Sequence, residues 1–561
     1  MIEIFLTITF GIIFVLSSGL FAINYIFVND KNNFHFAEIG LIGIVFLTFA
    51  TFLIHFILPL NSIVNFCFVI LIFLFGLKNN IKFLLLNLKK DYLISIIAFA
   101  IVFLMTLNYK PHEDYGFYHL PYIINLISEK IIFGLSNLQP HFGWNSSWLN
   151  FTALFYLPVL ELKGLHIPNP ILFFLILVLF LNKIFDKDKL KIISTFFLLL
   201  LSLYIIIKFS RISAHGFDFP ANIFLLLTFY YFIKIYESEN QTKINKYFFL
   251  TLIFSTLSLT IKLSTFAAPL LVFSSFLMIE NKRVQIKFFY RTIVFCILFF
   301  SFWFFQQFIY SGCFVPMFEF TCIKSVSWYT QDISNTIKLA TGANNKSFRE
   351  YTGFLSQEEY LANFNWVKTW FNRNKTEFLE HLYAFIIPFF VIFILNYKKI
   401  FNSNRDFKLK NKKGHIFIFT VILFISIGLI LWLIKSPVIR FGIPYLFTFV
   451  FFFILSLYYV FKLNIFFEKG IIIVVMLALT FNFSKNLVRV LDYNFKGTYW
   501  PEILDVKYST KQAGNFYFNS PNPEVISSQN QLCWAIPFIC NINPSSNIKI
   551  EKINNYLFLK N

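Results

Sequence analysis

Apolar runs of spanning length recur from one end of this sequence to the other, and few folds survive that constraint. A helix that crosses a bilayer needs ~20 predominantly apolar residues. Runs near 4–27, 36–60, 62–77 and 92–107 reach or approach that length early in the chain. The runs are continuous, whereas a transmembrane β-barrel alternates apolar and polar residues in units of about ten. Charged residues make up 14% of the 561, against roughly 25% in soluble proteins. The expected fold class is an all-α polytopic membrane protein, and most of the 83 Phe residues are expected to fill lipid-facing positions.

A formal charge of +20 raises nucleic acid as a partner, but the distribution of that charge argues against it. Lys and Arg sit in short loops between apolar runs, as the positive-inside rule predicts. Anionic lipid headgroups account for such a basic face. Lys78, Lys82, Lys89 and Lys90 mark one cytoplasmic loop, Lys183 to Lys191 a second, Lys243 and Lys246 a third, Lys282 to Arg291 a fourth, and the run 398–413 a fifth. Threading the apolar runs through these loops predicts about fourteen transmembrane helices, with the N-terminus and the tail outside. The block 247–279 is too long for one pass and is split at Lys262, at an outer turn. Two large outward loops are expected, at 109–167 and 311–381, with a small outer segment at 486–561. No cleavable signal is expected, because the first run lacks a basic start and a small-residue cleavage site.

Loop charge alone sets that topology, yet it brings the polar clusters to one side. The stretch 109–150 holds His112, Glu113, Asp114, His119, Glu129, Lys130 and His141. Arg211, His215 and Asp218 fall in the next outer loop, Lys262 at an outer turn, and Arg440 in a late one. Of six cysteines, Cys67 and Cys296 lie inside apolar runs and read as packing residues. Cys313 with Cys322 and Cys533 with Cys540 form two local pairs in outward segments, as disulfides in an oxidising compartment would; the alternative is four free thiols. No Cys/His spacing suits zinc.

These residues resemble a family. A carboxylate pair in the first large outer loop followed by an aromatic-His step, Glu113-Asp114-Tyr115-Gly116-Phe117-Tyr118-His119, resembles the GT-C glycosyltransferases. These are multi-pass enzymes that take sugars from polyprenyl-phosphate donors on the outer leaflet. Asp218-Phe219-Pro220, Lys262-Leu263-Ser264 and Pro437-Val438-Ile439-Arg440-Phe441 also look like that superfamily. More closely, the chain is similar to a group of bacterial polytopic proteins sharing the Ser311-Gly312-Cys313…Pro316 step and the Gln531…Cys533-Trp534…Pro537…Cys540 segment. The resemblance implies a GT-C-like core at 91–485, with residues 1–90 as additional N-terminal helices. It implies a bacterial inner-membrane enzyme facing the periplasm or exterior, with a polyprenyl-phosphate-linked sugar and a glycan or lipid acceptor as partners. The sequence departs from the family in reading Glu-Asp where many members have Asp-Glu or a single Asp. Its tail holds no recognisable sugar-binding module, so the sugar and acceptor are not carried over.

Glycosyl transfer from a lipid phosphate needs a carboxylate for the acceptor hydroxyl and cations for the donor phosphate. Asp114 is the first choice of base and Glu113 the second, the alternative being a cap on a helix starting near Gly116. His112 is expected to bind substrate, and His119 to bind substrate or order the loop. Asp218 is a site residue or an N-cap. Lys262, Arg440 and Arg211 are phosphate ligands, or cations snorkelling to the interface. If Lys262 and Arg440 hold one phosphate, they must lie within its reach. Mg²⁺ or Mn²⁺ is compatible with the carboxylates, but no metal ligand is assigned. The alternative functions are a polysaccharide polymerase or ligase, expected to carry Arg and His motifs in its large loops, and a lipid-linked oligosaccharide transporter, which needs polar residues deep inside its helices.

Overall fold

The structure, a computed structural model, describes the chain except for residues 28–30, 79, 108–113, 145, 186–191, 210–211, 213–215, 281, 317, 332–334, 337–341, 397–411, 461–467, 492–499, 502, 514–515, 523–530, 543–547 and 561.

Helix boundaries fall where the sequence supplies a cap or a break. His35 and Glu38 form a reciprocal capping box at the start of Phe36–Ile57, satisfying donors that a helix start leaves open. Asn61 accepts from the Val64 N–H ahead of Ser62–Leu77, and Asn240 caps Gln241–Ile261. That last helix stops at Lys262, whose extended backbone (φ −156°, ψ 130°) turns the chain before Ala268–Met278. The split expected at Lys262 is therefore present.

Among the described residues, nine helices are long and apolar enough to cross a membrane, and four more apolar helices run to 10–17 residues. They share one extended apolar core. The molecule is an all-α, multi-pass type, and among the described residues the strands are confined to the tail.

Several boundaries differ from the sequence expectation. Val367–Asn396 is one helix of 30 residues, so the outer loop expected to run to 381 ends earlier. Its first half is polar but free of Gly and Pro, and helix formation there follows propensity rather than hydropathy. The last long helix, Glu468–Leu491, likewise runs past the expected end near residue 483. Arg440 lies inside Ile439–Val460, not in a loop. A short helix, Ile81–Lys90, precedes Tyr92–Leu107.

The expected large loop after Tyr92–Leu107 is a packed layer. It contains the helices Leu120–Ser128 and Ser147–Ala153 and shares a second apolar cluster with Tyr310 and the tail. The tail adds two antiparallel hairpins, β1 (Tyr508–Ala513) with β2 (Phe516–Pro521) and β3 (Lys549–Ile553) with β4 (Tyr556–Lys560). Between β3 and β4, Asn554 and Asn555 both take positive φ, 49° and 62°, as a two-residue hairpin turn matched to strand twist requires. Asn137 Nδ2 donates to Leu559 O at 2.7 Å, and Tyr556 to Phe56 O at 3.2 Å. Both expected cysteine pairs, Cys313–Cys322 and Cys533–Cys540, are disulfide-bonded.

Candidate functional site

The segment that carries Asp114 turns as a π-helix, Tyr115–His119, in which the Leu120 N–H bonds the Tyr115 carbonyl five residues back. Such turns are rare and cluster at functional sites. Asp114 stands at the head of this turn, but its side chain makes no capping bond. The cap expectation is therefore not met. The carboxylate lies across the bundle end instead, accepting from Arg440 Nη2 at 3.0 Å and from the Tyr118 hydroxyl.

Asp218 is the first residue of Asp218–Glu237; the N-cap position belongs to Phe217, and no side-chain cap bond forms. Its carboxylate is divided between two cations. One oxygen pairs with Lys262 Nζ, and the other lies 2.8 Å from Arg440 Nε. Lys262 and Arg440, 178 positions apart in the sequence, thus meet on one carboxylate as the shared-phosphate expectation requires.

The backbone explains why Arg440 sits there. Pro444 is four residues on in the same helix, so the Arg440 carbonyl has no helical N–H to accept. Asn222 Nδ2, one turn beyond Asp218, donates to it at 2.8 Å and ties the two helices beside their charges. Tyr445 donates to Ser264 O at 2.7 Å, fixing the Lys262 turn to the Arg440 helix.

Aromatic rings flank the charges, whose side chains stay 17–38% exposed. Lys262 Nζ lies 3.4 Å from the Phe441 ring centroid and 5.2 Å from that of Phe217, close enough for cation–π attraction. His119 packs on Phe217 (4.9 Å) and edge-on to Tyr118 (4.4 Å), and Tyr118 stacks on His141 (5.1 Å). Burial pushes the His119 imidazole down to about 4 despite the nearby Asp114 and Asp218 carboxylates, so it is neutral near pH 7. Burial also lowers the Lys262 ammonium to about 8, with Asp218 opposing the shift. The Tyr118 hydroxyl is raised by burial first and by the Asp114 and Asp218 charges next.

The structure therefore brings together five of the expected residues: Asp114, His119, Asp218, Lys262 and Arg440. Glu113, His112 and Arg211 lie outside the described residues. Sequence reasoning named His141, Tyr118 and Phe441 within its polar stretch and motifs but gave them no role, and it missed Phe217 and Asn222. Asn222 carried a usable signal, as an amide four residues after Asp218 in an otherwise apolar run. Among the described residues no group of three or more His, Cys, Asp or Glu side chains is placed to hold a metal ion. Asp114 and Asp218 face Arg440 and Lys262, and Glu113, the other carboxylate of the expected pair, lies outside the described residues.

Among the described residues of the cluster, two carboxylates and two cations balance one another. An anion can replace Asp218 between Lys262 and Arg440 without leaving a cation unmatched, and Asp114 can accept a proton at the same place. No curated protein and no solved structure gives a significant match to the chain. A family described as a domain of unknown function (DUF8201) matches residues 1–447, a stretch that takes in the first three helices and all four charged residues of the cluster. The chain belongs to that family.

Proposed function

We propose that this chain is a membrane glycosyltransferase that moves a sugar from a polyprenyl-phosphate donor to a glycan or lipid acceptor. The membrane is crossed about fourteen times, and the site faces the outside of a bacterial inner membrane. One observation carries this reading: Asp114, Asp218, Lys262 and Arg440 converge from four separate elements at one end of the apolar bundle.

In the proposed reaction the donor phosphate lies between Lys262 and Arg440, displacing Asp218 from them in part. The acceptor oxygen attacks the anomeric carbon while the bond from that carbon to the phosphate oxygen breaks. Asp114 takes the hydroxyl proton. The polyprenyl phosphate leaves with its negative charge held by the two cations. Neutral His119 and the rings of Phe217 and Phe441 border the charges and lower the local dielectric, which strengthens their interactions. Glu113 stays the second choice of base and Arg211 a third candidate phosphate cation on the sequence alone, both lying outside the described residues.

The test uses full-length protein in lipid nanodiscs. A long-chain polyprenyl monophosphate should bind the native protein, and Lys262→Met and Arg440→Gln should each weaken it by about tenfold or more. Asp114→Asn should bind it as the native protein does. With polyprenyl-phosphate hexoses and pentoses as donors, the same variant should release polyprenyl phosphate ~10²–10⁴ times more slowly. Equal binding by the native protein and the Lys262→Met/Arg440→Gln double variant would remove the proposal.

A further inference from the structure

The C-terminal segment 531–540 is built against the turn that carries Asp114. In that turn the Leu120 N–H is used by the Tyr115 carbonyl. The residue whose N–H would continue the ladder to Gly116 is Pro121, which has none. The Gly116 carbonyl is taken instead by the backbone N–H of Trp534, at 2.9 Å. The Phe117 carbonyl likewise accepts from a side chain, Gln139 Nε2 at 3.3 Å.

Side chains repeat the contact. Trp534 is fully buried, with its ring 5.5 Å from that of Tyr115. It fills the space beside Gly116 so closely that a Cβ there would fall 2.3 Å from the indole. The loop bearing Trp534 is closed by the Cys533–Cys540 disulfide. It is anchored on β2 by Asn519 N–H to Ile539 O, and on the first outer segment by Asn541 Nδ2 to Leu138 O.

We infer that Trp534, held by the Cys533–Cys540 loop, is a positioning residue that sets the Asp114 turn against Arg440. Its consequence for turnover rests on the glycosyltransferase reading; its consequence for the turn does not. Lys262 and Arg440 are held by other contacts, so loss of Trp534 displaces the carboxylate and leaves the cations in place.

Hydrogen exchange on the full-length protein in nanodiscs tests this. Trp534→Ala should raise exchange of the amides at 115–120 by about tenfold, as local opening of one unit does. Amides of Asp218–Glu237 and Gln241–Ile261 should stay as in the native protein. Trp534→Phe should restore protection. Gly116→Ala should mimic Trp534→Ala, and adding Trp534→Leu to Gly116→Ala should recover it by making room for the new methyl. Reduction of the native protein should act like Trp534→Ala, and the Cys313→Ser/Cys322→Ser variant should show the same response to reductant. In the transfer assay, Trp534→Ala should lower turnover about tenfold or more while leaving polyprenyl monophosphate affinity within about twofold.

Unchanged exchange at 115–120 in folded Trp534→Ala would overturn the inference. So would a rise spread evenly over the whole bundle, which marks a merely structural role. If no donor supports transfer, the proposed function falls, and the local exchange pattern alone decides the role of Trp534.

Discussion

Lys262 is the residue whose charge is most open to titration in the cluster. Burial brings its ammonium down to about 8, with Asp218, Arg440, Asp114 and His119 around it and Phe217 and Phe441 against it. A lysine with a lowered value is charged below that value and loses its charge as pH rises through it. Binding of a polyprenyl monophosphate should therefore weaken about tenfold between roughly pH 7 and pH 9, the loss of one charge-assisted contact. Lys262→Arg should flatten that limb, because a guanidinium stays protonated throughout. A flat profile in the native protein would show that Lys262 does not hold the anion. The charged residues were legible because each interrupts an apolar run on the same predicted side. Their mutual pairing was not, since a sequence shows charges but not which ones neutralise each other. Nor were Phe217 and Phe441, which no pattern separates from the other 81 of 83 Phe residues.

At the scale of elements, prolines open backbone acceptors and partners from elsewhere close them. Pro444 opens the Arg440 carbonyl for Asn222, and Pro121 leaves the Gly116 carbonyl to Trp534. The opposite helix ends are tied by a different device. Glu38, in the first turn of Phe36–Ile57, is buried and pairs with Lys246 in Gln241–Ile261. The Tyr231 hydroxyl donates to Glu38 at 2.7 Å, and the His35 N–H at 2.9 Å. Lys246→Met should leave the buried Glu38 carboxylate without its ion-pair partner and cost about 3–5 kcal/mol, whereas Glu38→Gln/Lys246→Met should recover most of that loss. Thermal unfolding in one detergent compares the three proteins; equal melting of both variants would mean that the ion pair does not link these helices. Sequence reasoning passed over Glu38, because one carboxylate at the edge of an apolar run looks like an ordinary helix start. It also shortened Val367–Asn396 and Glu468–Leu491, because hydropathy ends where the membrane does and a helix need not.

For the whole molecule, contacts between distant segments sort the helix ends into two groups without reference to a membrane. In one group, Trp500 Nε1 donates to Glu3 at 2.8 Å, Trp534 meets Gly116, and Asn345 meets Ser436. The N-terminus, the segment after Tyr92–Leu107 and the tail are thus joined there, and Asn137 Nδ2, donating to Trp328 O at 3.0 Å, brings in the segment after Ser311. In the other, Asp91 joins His35 at 2.8 Å and Asn182 at 2.7 Å, and Lys31 reaches Asn80. The basic loops belong to this second end, with Lys183, Lys243, Lys246, Lys282 and Lys412 near it. The grouping agrees with the one obtained from loop charge, and the proposed orientation, with the basic end inside as the positive-inside rule expects, would put the ion cluster outside. Single cysteines should test that placement in a background where Cys67 and Cys296 are serine and both disulfides remain. Val159, Phe354 and Tyr517 are exposed at the first end, and Glu239 and Lys412 at the second. An impermeant maleimide added to intact cells should label Val159→Cys, Phe354→Cys and Tyr517→Cys. Glu239→Cys and Lys412→Cys should react only after the membrane is opened. Reversal of both groups would turn the cluster toward the cytoplasm and exclude an outer-leaflet donor. A split within the first group would instead break the common end on which Asp114, Asp218, Lys262 and Arg440 meet.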